Sequence, residues 1–179
     1  MELKALRSLV LEHAGFDVMK SSQFTEAYVC HLLGAQQTSG HHKVDGLLGD
    51  IRIEIKHAVA FDAETPYGTR RRLCFRYLQG KAGKDADVYV MAGYDNAKYH
   101  YLVIPAVRLG GRRDLDFFLF GASGEKSERW QPYVVPEEHL REAVLVAARS
   151  PTAYHGWKKP DLFAIRTGRG ETGLRGNAV

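Results

Sequence analysis

Three residues have types and spacing suited to holding a divalent cation beside an ammonium group: Asp45, Glu54 and Lys56. Residues 43–60 read KVDGLLGDIRIEIKHAVA, in which Ile51, Ile53 and Ile55 alternate with Arg52, Glu54 and Lys56. A period of two is that of a strand with unlike faces. Gly49–Asp50 has the composition of a two-residue hairpin turn. Such a turn pairs Leu48 with Ile51, Asp45 with Glu54 and Lys43 with Lys56, and it sends the isoleucines into the core. Directly opposed Cβ atoms lie roughly 4.5–5.5 Å apart, and like charges there repel. A divalent cation between Asp45 and Glu54 would reverse that penalty, because hard Mg²⁺ prefers carboxylate oxygens. The same pattern is also that of an ordinary half-exposed strand, in which Asp45 and Lys56, or Lys43 and Glu54, neutralise each other diagonally. The hairpin alone leaves both readings open.

Elements on either side must hold this hairpin in place. Leu3, Leu6, Val10 and Ala14 recur at helical spacing, and Gly15 closes that helix. A second helix is predicted from the N-capping pair Ser21–Ser22 to Gly34, with an apolar stripe of Phe24, Ala27 or Tyr28, and Leu32. The polar run AQQTSGHH at 35–42 reads as a loop. After the hairpin comes a polar stretch with Pro66 and Gly68, then the basic run Arg70, Arg71 and Arg72. RLCFRYLQ, ending at Gln79, fits a strand or a short helix equally well. DVYVMAG and YHYLVIP, split by the turn-like YDNAK, are predicted to be two buried strands. DFFLF and PYVV are expected to add short strands. Pro136 opens a helix with Glu137 and Glu138 in its first turn, Arg149 in its last and Pro151 just beyond, as the helix dipole favours.

The chain of 179 residues suits one compact domain over 1–150 followed by a basic, loosely packed tail over 151–179 containing Lys158, Lys159, Arg166, Arg169 and Arg175. Its hydrophobic fraction of 45% is ordinary for a globular protein. No apolar run approaches the roughly 20 residues that cross a bilayer, and the amphipathic start does not resemble a signal peptide. With only Cys30 and Cys74, a disulfide framework is not expected and a cytoplasmic setting is. Cys30, His31, His41, His42 and Cys74 lack the spacing of a zinc site. No GxSxG, Walker-type loop or GxGxxG is present. The net charge of +4 permits a polyanionic partner without requiring one.

The order of a helix bearing Glu26, VDG at 44–46 and IEIKHA at 53–58 resembles the PD-(D/E)XK nuclease superfamily, of the restriction-endonuclease-like or resolvase-like type. The likeness covers roughly residues 20–108, with Val44 where the family's eponymous proline would stand. It implies an α/β fold with a restriction-endonuclease-like core, a central mixed β-sheet flanked by helices. It also implies a Mg²⁺-dependent endonuclease acting on DNA, with Mn²⁺ expected to substitute and no membrane partner. Many relatives work as homodimers to cut two strands, which the resemblance allows here. By this likeness Asp45, Glu54 and the backbone carbonyl of Ile55 hold the metal, and Lys56 acts on the attacking water. Glu26 joins them from the helix, weighed evenly against a plain surface acid. Gln79 reaches the site as a glutamine does in some relatives, although an ordinary loop role is favoured for it. Lys43, Arg70, Arg71 and Arg72 are the DNA-binding candidates, with a solvated loop as the competing role for the arginines. His57 is expected on the core side as a satisfied buried histidine. Tyr154 and Trp157 are expected to pack against helices rather than stack on bases.

Overall fold

A computed structural model of the chain describes residues 20–38, 44–66, 68–78, 86–120 and 129–157. The expected helix over 2–14 and the run from Lys158 onward lie outside them. The central sheet is mixed, with order β1-β2-β3-β6-β7-β9. Its strands are β1 (Gln36–Gln37), β2 (Gly46–Leu48), β3 (Ile51–Val59), β6 (Val88–Asp95), β7 (Lys98–Pro105) and β9 (Val134–Val135). A second sheet joins β4 (Phe61–Thr65), β5 (Gly68–Phe75) and β8 (Leu115–Phe120) in the order β4-β5-β8. The helices are α1 (Ser22–Leu33), α2 (Ala106–Leu109) and α3 (Leu140–Arg149). The protein is thus α/β with a six-stranded mixed sheet at its centre, and no described helix is long and apolar enough to cross a membrane.

Local rules account for several of these elements. The Ser21 hydroxyl accepts the Phe24 N–H and starts α1, and Gly34, at φ 62°, ends it by donating its N–H to helix carbonyls. The buried face of α1 is Thr25, Tyr28, Val29, Cys30 and Leu33. Of the expected stripe, Tyr28 is buried, Ala27 is exposed, and Phe24 and Leu32 flank the core. The turn at Gly49–Asp50 gives the predicted Leu48↔Ile51 register. β6 and β7 pair from Val88↔Pro105 to Asp95↔Lys98 across Asn96–Ala97, whose positive φ values of 46° and 62° suit a tight hairpin. β8 and β9 occupy the expected DFFLF and PYVV segments. α3 follows Pro136 through a 3₁₀ turn, Glu137–His139.

Long-range pairing supplies the rest. The polar 35–42 run contributes β1, which pairs with β2. β3 leaves its hairpin partner and runs parallel to β6, with Ile53↔Val88 and Glu54↔Tyr89. A parallel pair needs a long crossover, usually a helix. Here the crossover contains the β4–β5 hairpin, which settles RLCF as strand and makes the polar stretch around Pro66 its turn.

The register gives the central sheet two faces. On one, His57 lies 3.0 Å from the Thr25 hydroxyl, which is also 3.0 Å from the Tyr99 hydroxyl, so α1 covers this face. Tyr101, on the same face, donates to Glu137 ahead of α3 at 2.9 Å. The opposite face carries Glu54, Lys56, Met91 and Gly93, and the second sheet packs there. A Cβ on Gly93 would sit 2.2 Å from Leu73 Cδ1, so only glycine admits this approach. The expectation of helices flanking the sheet therefore describes one face of the two. With both faces covered, every residue of β6 is buried, as in strands enclosed between layers.

Candidate active site

The site is built where β3 parts from β2. Its hairpin ladder ends at Gly46↔Ile53, so Asp45 is not paired across from Glu54 as a ladder residue. Instead the Asp45 N–H donates to the Ile53 carbonyl at 3.0 Å, and its carboxylate accepts the Ile55 N–H at 2.7 Å. The reason is topological: the Ile55 N–H is available to a side chain because β2 has ended there. The Asp45 carbonyl is held in turn by the Thr38 N–H at 3.0 Å, with the Cys30 thiol 3.8 Å away. Thr38 also bonds the Val44 carbonyl. A Cβ on Gly46 would lie 2.9 Å from Cys30 Sγ, so this corner rests directly on α1.

Glu54 and Lys56 share a face of β3, and Lys56 Nζ donates to Glu54 Oε1 at 2.6 Å. Glu54 is only 7% exposed, on the face that alternation had assigned to solvent. Burial raises the Asp45 carboxyl above its usual range, while the Ile55 N–H and Lys56 act against the shift. The Glu54 carboxyl is raised chiefly by burial; its hydrogen bond to Lys56 opposes this and repulsion from Asp45 adds to it. Glu26 on α1 is half-buried and also raised, first by burial and then by the charges of Asp45 and Glu54. Glu26 is thus within reach of their charges.

Tyr89 is a member the spacing gave no sign of. It stands beside Glu54 in the parallel register, and its hydroxyl donates to the Leu78 carbonyl at 2.7 Å. Burial, followed by the charges of Glu54 and Asp45, pushes its pKa up to about 12, so it stays a neutral donor. Thr38 and Cys30, which hold the Asp45 backbone, were equally invisible, since contacts between distant segments leave no mark in a single sequence. Gln79 and Lys43 lie outside the described residues.

The basic run is placed elsewhere. Arg71 donates to Asp95 Oδ1 at 2.7 and 3.0 Å and pairs with Asp62 at 3.2 Å. Arg72 lies 4.8 Å over the Phe61 ring and 3.8 Å from Asp116. Asp95 is at the far end of β6 from Tyr89, a separation of about 20 Å at the rise of a strand. Arg70, Arg71 and Arg72 therefore sit on β5, remote from Glu54, and Arg71 and Arg72 have acidic partners there. Tyr154 is 4% exposed and packs 6.0 Å from Tyr133, while Trp157 stacks on His139 at 5.2 Å. Both serve packing, and the segment expected to begin the tail is folded through Trp157.

Among the described residues no group of three or more His, Cys, Asp or Glu side chains is placed to hold a metal ion. Two carboxylates with a third negative charge nearby nevertheless fit Mg²⁺, which typically takes one or two protein carboxylates and fills its remaining positions with water and substrate phosphate. No protein-family model and no curated protein matches the chain.

Proposed function

We propose that the protein is a Mg²⁺-dependent endonuclease of the PD-(D/E)XK type that hydrolyses DNA phosphodiester bonds at Asp45, Glu54 and Lys56. One observation carries the reading. The fold draws two carboxylates together beside a lysine, although burial disfavours both charges and the Asp45 charge further disfavours that of Glu54. Such a cluster costs stability unless a cation or reacting group occupies it.

In this reading Asp45 and Glu54, with the carbonyl of Ile55, hold the metal, which when bound lowers the pKa of a coordinated water and stabilises charge on the phosphate. The Ile55 N–H orients the Asp45 carboxylate, and Thr38 fixes the backbone behind it. Lys56, kept beside the acids by Glu54, offsets negative charge and orients the attacking water. Tyr89 stays protonated and keeps the adjoining Leu78 segment against the site. Glu26 adds negative potential from α1.

A second reading, a nucleic-acid-binding module with the same fold and no catalysis, draws on the Glu54–Lys56 ion pair, which partly neutralises the cluster without metal. Plasmid nicking in Mg²⁺, Mn²⁺ or EDTA, run beside Asp45→Asn and Lys56→Ala, separates the two. Metal-dependent cutting that both substitutions abolish is the expected result. Absence of cutting on duplex, single-stranded and branched DNA, together with no metal binding by calorimetry, would sink the nuclease reading.

A further inference from the structure

The chain leaves β5 through Arg76, Tyr77 and Leu78, and this segment is anchored at Leu78. The Leu78 carbonyl accepts the Tyr89 hydroxyl at 2.7 Å, and its N–H donates to the Arg113 carbonyl at 2.8 Å. One bond ties the segment to the residue beside Glu54, and the other ties it to the loop after α2. Tyr77 stands just before the clamp with φ 57° and is 71% exposed, the most exposed of the large hydrophobic side chains on the described surface. A bulky residue rarely adopts that conformation, and observed strain of this kind is a fair starting point for a functional hypothesis. Leu78 itself is buried, so the ring is presented from a fixed base.

The surface around it is cationic. Arg76, Arg112, Arg113 and Arg129 are all exposed. Arg129 and Arg112 lie over the Trp130 ring, 4.9 and 5.9 Å from its centroid, which organises two of the guanidinium groups. Asp114 is the exposed acid within the same loop. Arg113 is joined through its carbonyl to Leu78, and Leu78 through its own to Tyr89 beside Glu54, whereas Arg71 bonds Asp95 at the far end of β6.

We propose that this surface binds an unpaired DNA strand leading into the site, with a base stacked on Tyr77 and backbone phosphates on Arg76, Arg112, Arg113 and Arg129. Exposed guanidinium groups suit phosphates, and an exposed ring suits a base whose face is free. A base inside a duplex is already stacked on its neighbours, which selects the unpaired strand over the duplex. The proposal rests on the nuclease reading for the direction the strand takes, but its test needs no cleavage.

The experiment is a fluorescence-anisotropy titration of fluorescein-labelled oligothymidylate, alone and annealed to oligoadenylate, in EDTA. The intact chain is compared with Tyr77→Gly, Tyr77→Phe and the Arg112→Ala/Arg113→Ala double variant. Losing one stacked base weakens single-strand binding by about 5- to 150-fold, so Tyr77→Gly should show that loss on the single strand but not on the duplex. Tyr77→Phe should bind like the intact chain. The arginine variant should weaken binding and lower the salt slope by roughly 0.7 for each phosphate it no longer neutralises. Glycine accepts φ 57° freely, so Tyr77→Gly should melt no lower than the intact chain, which removes misfolding as an explanation. Single-strand affinity of Tyr77→Gly within about twofold of the intact chain would overturn the proposal, as would an equal loss on the duplex. Tyr77-dependent binding without nicking would remove the nuclease reading and leave this surface standing. Nicking together with Tyr77-independent binding would do the reverse.

Discussion

Replacing Arg71 with methionine removes a guanidinium from between Asp95 and Asp62 while keeping an unbranched stem to fill the space. Asp95 is 5% exposed and loses both hydrogen bonds that Arg71 makes to it. Breaking a fully buried ion pair costs about 3–5 kcal/mol because a charge is left uncompensated, whereas an exposed pair is worth about 0–1 kcal/mol. The Arg71 side chain is 27% exposed and the Asp62 side chain 61%, so water screens part of the cluster and the Asp62 pair contributes little. The expected cost is therefore about 2–4 kcal/mol, nearly all from Asp95. For a chain of this size that corresponds to a fall in Tm of about 4–16 °C. Thermal unfolding followed by near-ultraviolet circular dichroism measures it, with Asp95→Asn and the double variant completing a cycle. The double variant should be more stable than Arg71→Met, since it leaves no orphaned carboxylate. If Arg71→Met melts within about 1 °C of the intact chain, Arg71 does not compensate the Asp95 charge. If it also lowers DNA affinity, Arg71 returns as a phosphate-binding residue.

Gly93→Ala places a methyl group against Leu73 in the seam between the two sheets and should destabilise the protein by about 1–3 kcal/mol, read by denaturant unfolding. A neutral outcome there would mean that the sheets are less closely packed than described. Burial raises the Asp45, Glu54 and Glu26 carboxyls, so each binds a proton in the folded chain at a pH where the unfolded chain has released it. Their contribution to stability in EDTA must fall as pH rises from the ordinary carboxylate range through the raised values, and return on acidification. Asp45→Asn should flatten that decline and be the more stable protein at neutral pH. Parallel stability profiles for the two proteins would contradict the assigned cause.

The hairpin, its Leu48↔Ile51 register, the Ser21 and Gly34 caps, the β6–β7 pair and the Pro136–Arg149 segment were all legible in the sequence. Each is decided by residues close together along the chain: a turn dipeptide, a capping hydroxyl, a period of two or of 3.6. Glu54 and Lys56 were legible for the same reason, since they are two residues apart on one strand, whereas the bond from the Ile55 N–H to Asp45 was not. What surrounds them was not. Nothing local in RLCF says that it joins β5 and packs on Gly93. Nothing near Arg71 says that Asp95 awaits it, nor does residue 54 announce Tyr89 as its parallel neighbour. Those pairings join segments separated by about twenty residues or more, and a single sequence holds no sign of them. The sequence alone therefore determined which groups share a strand. Only tertiary packing decided which face became dry and which charges were compensated, because burial and ion pairing are properties of surfaces brought together by the fold.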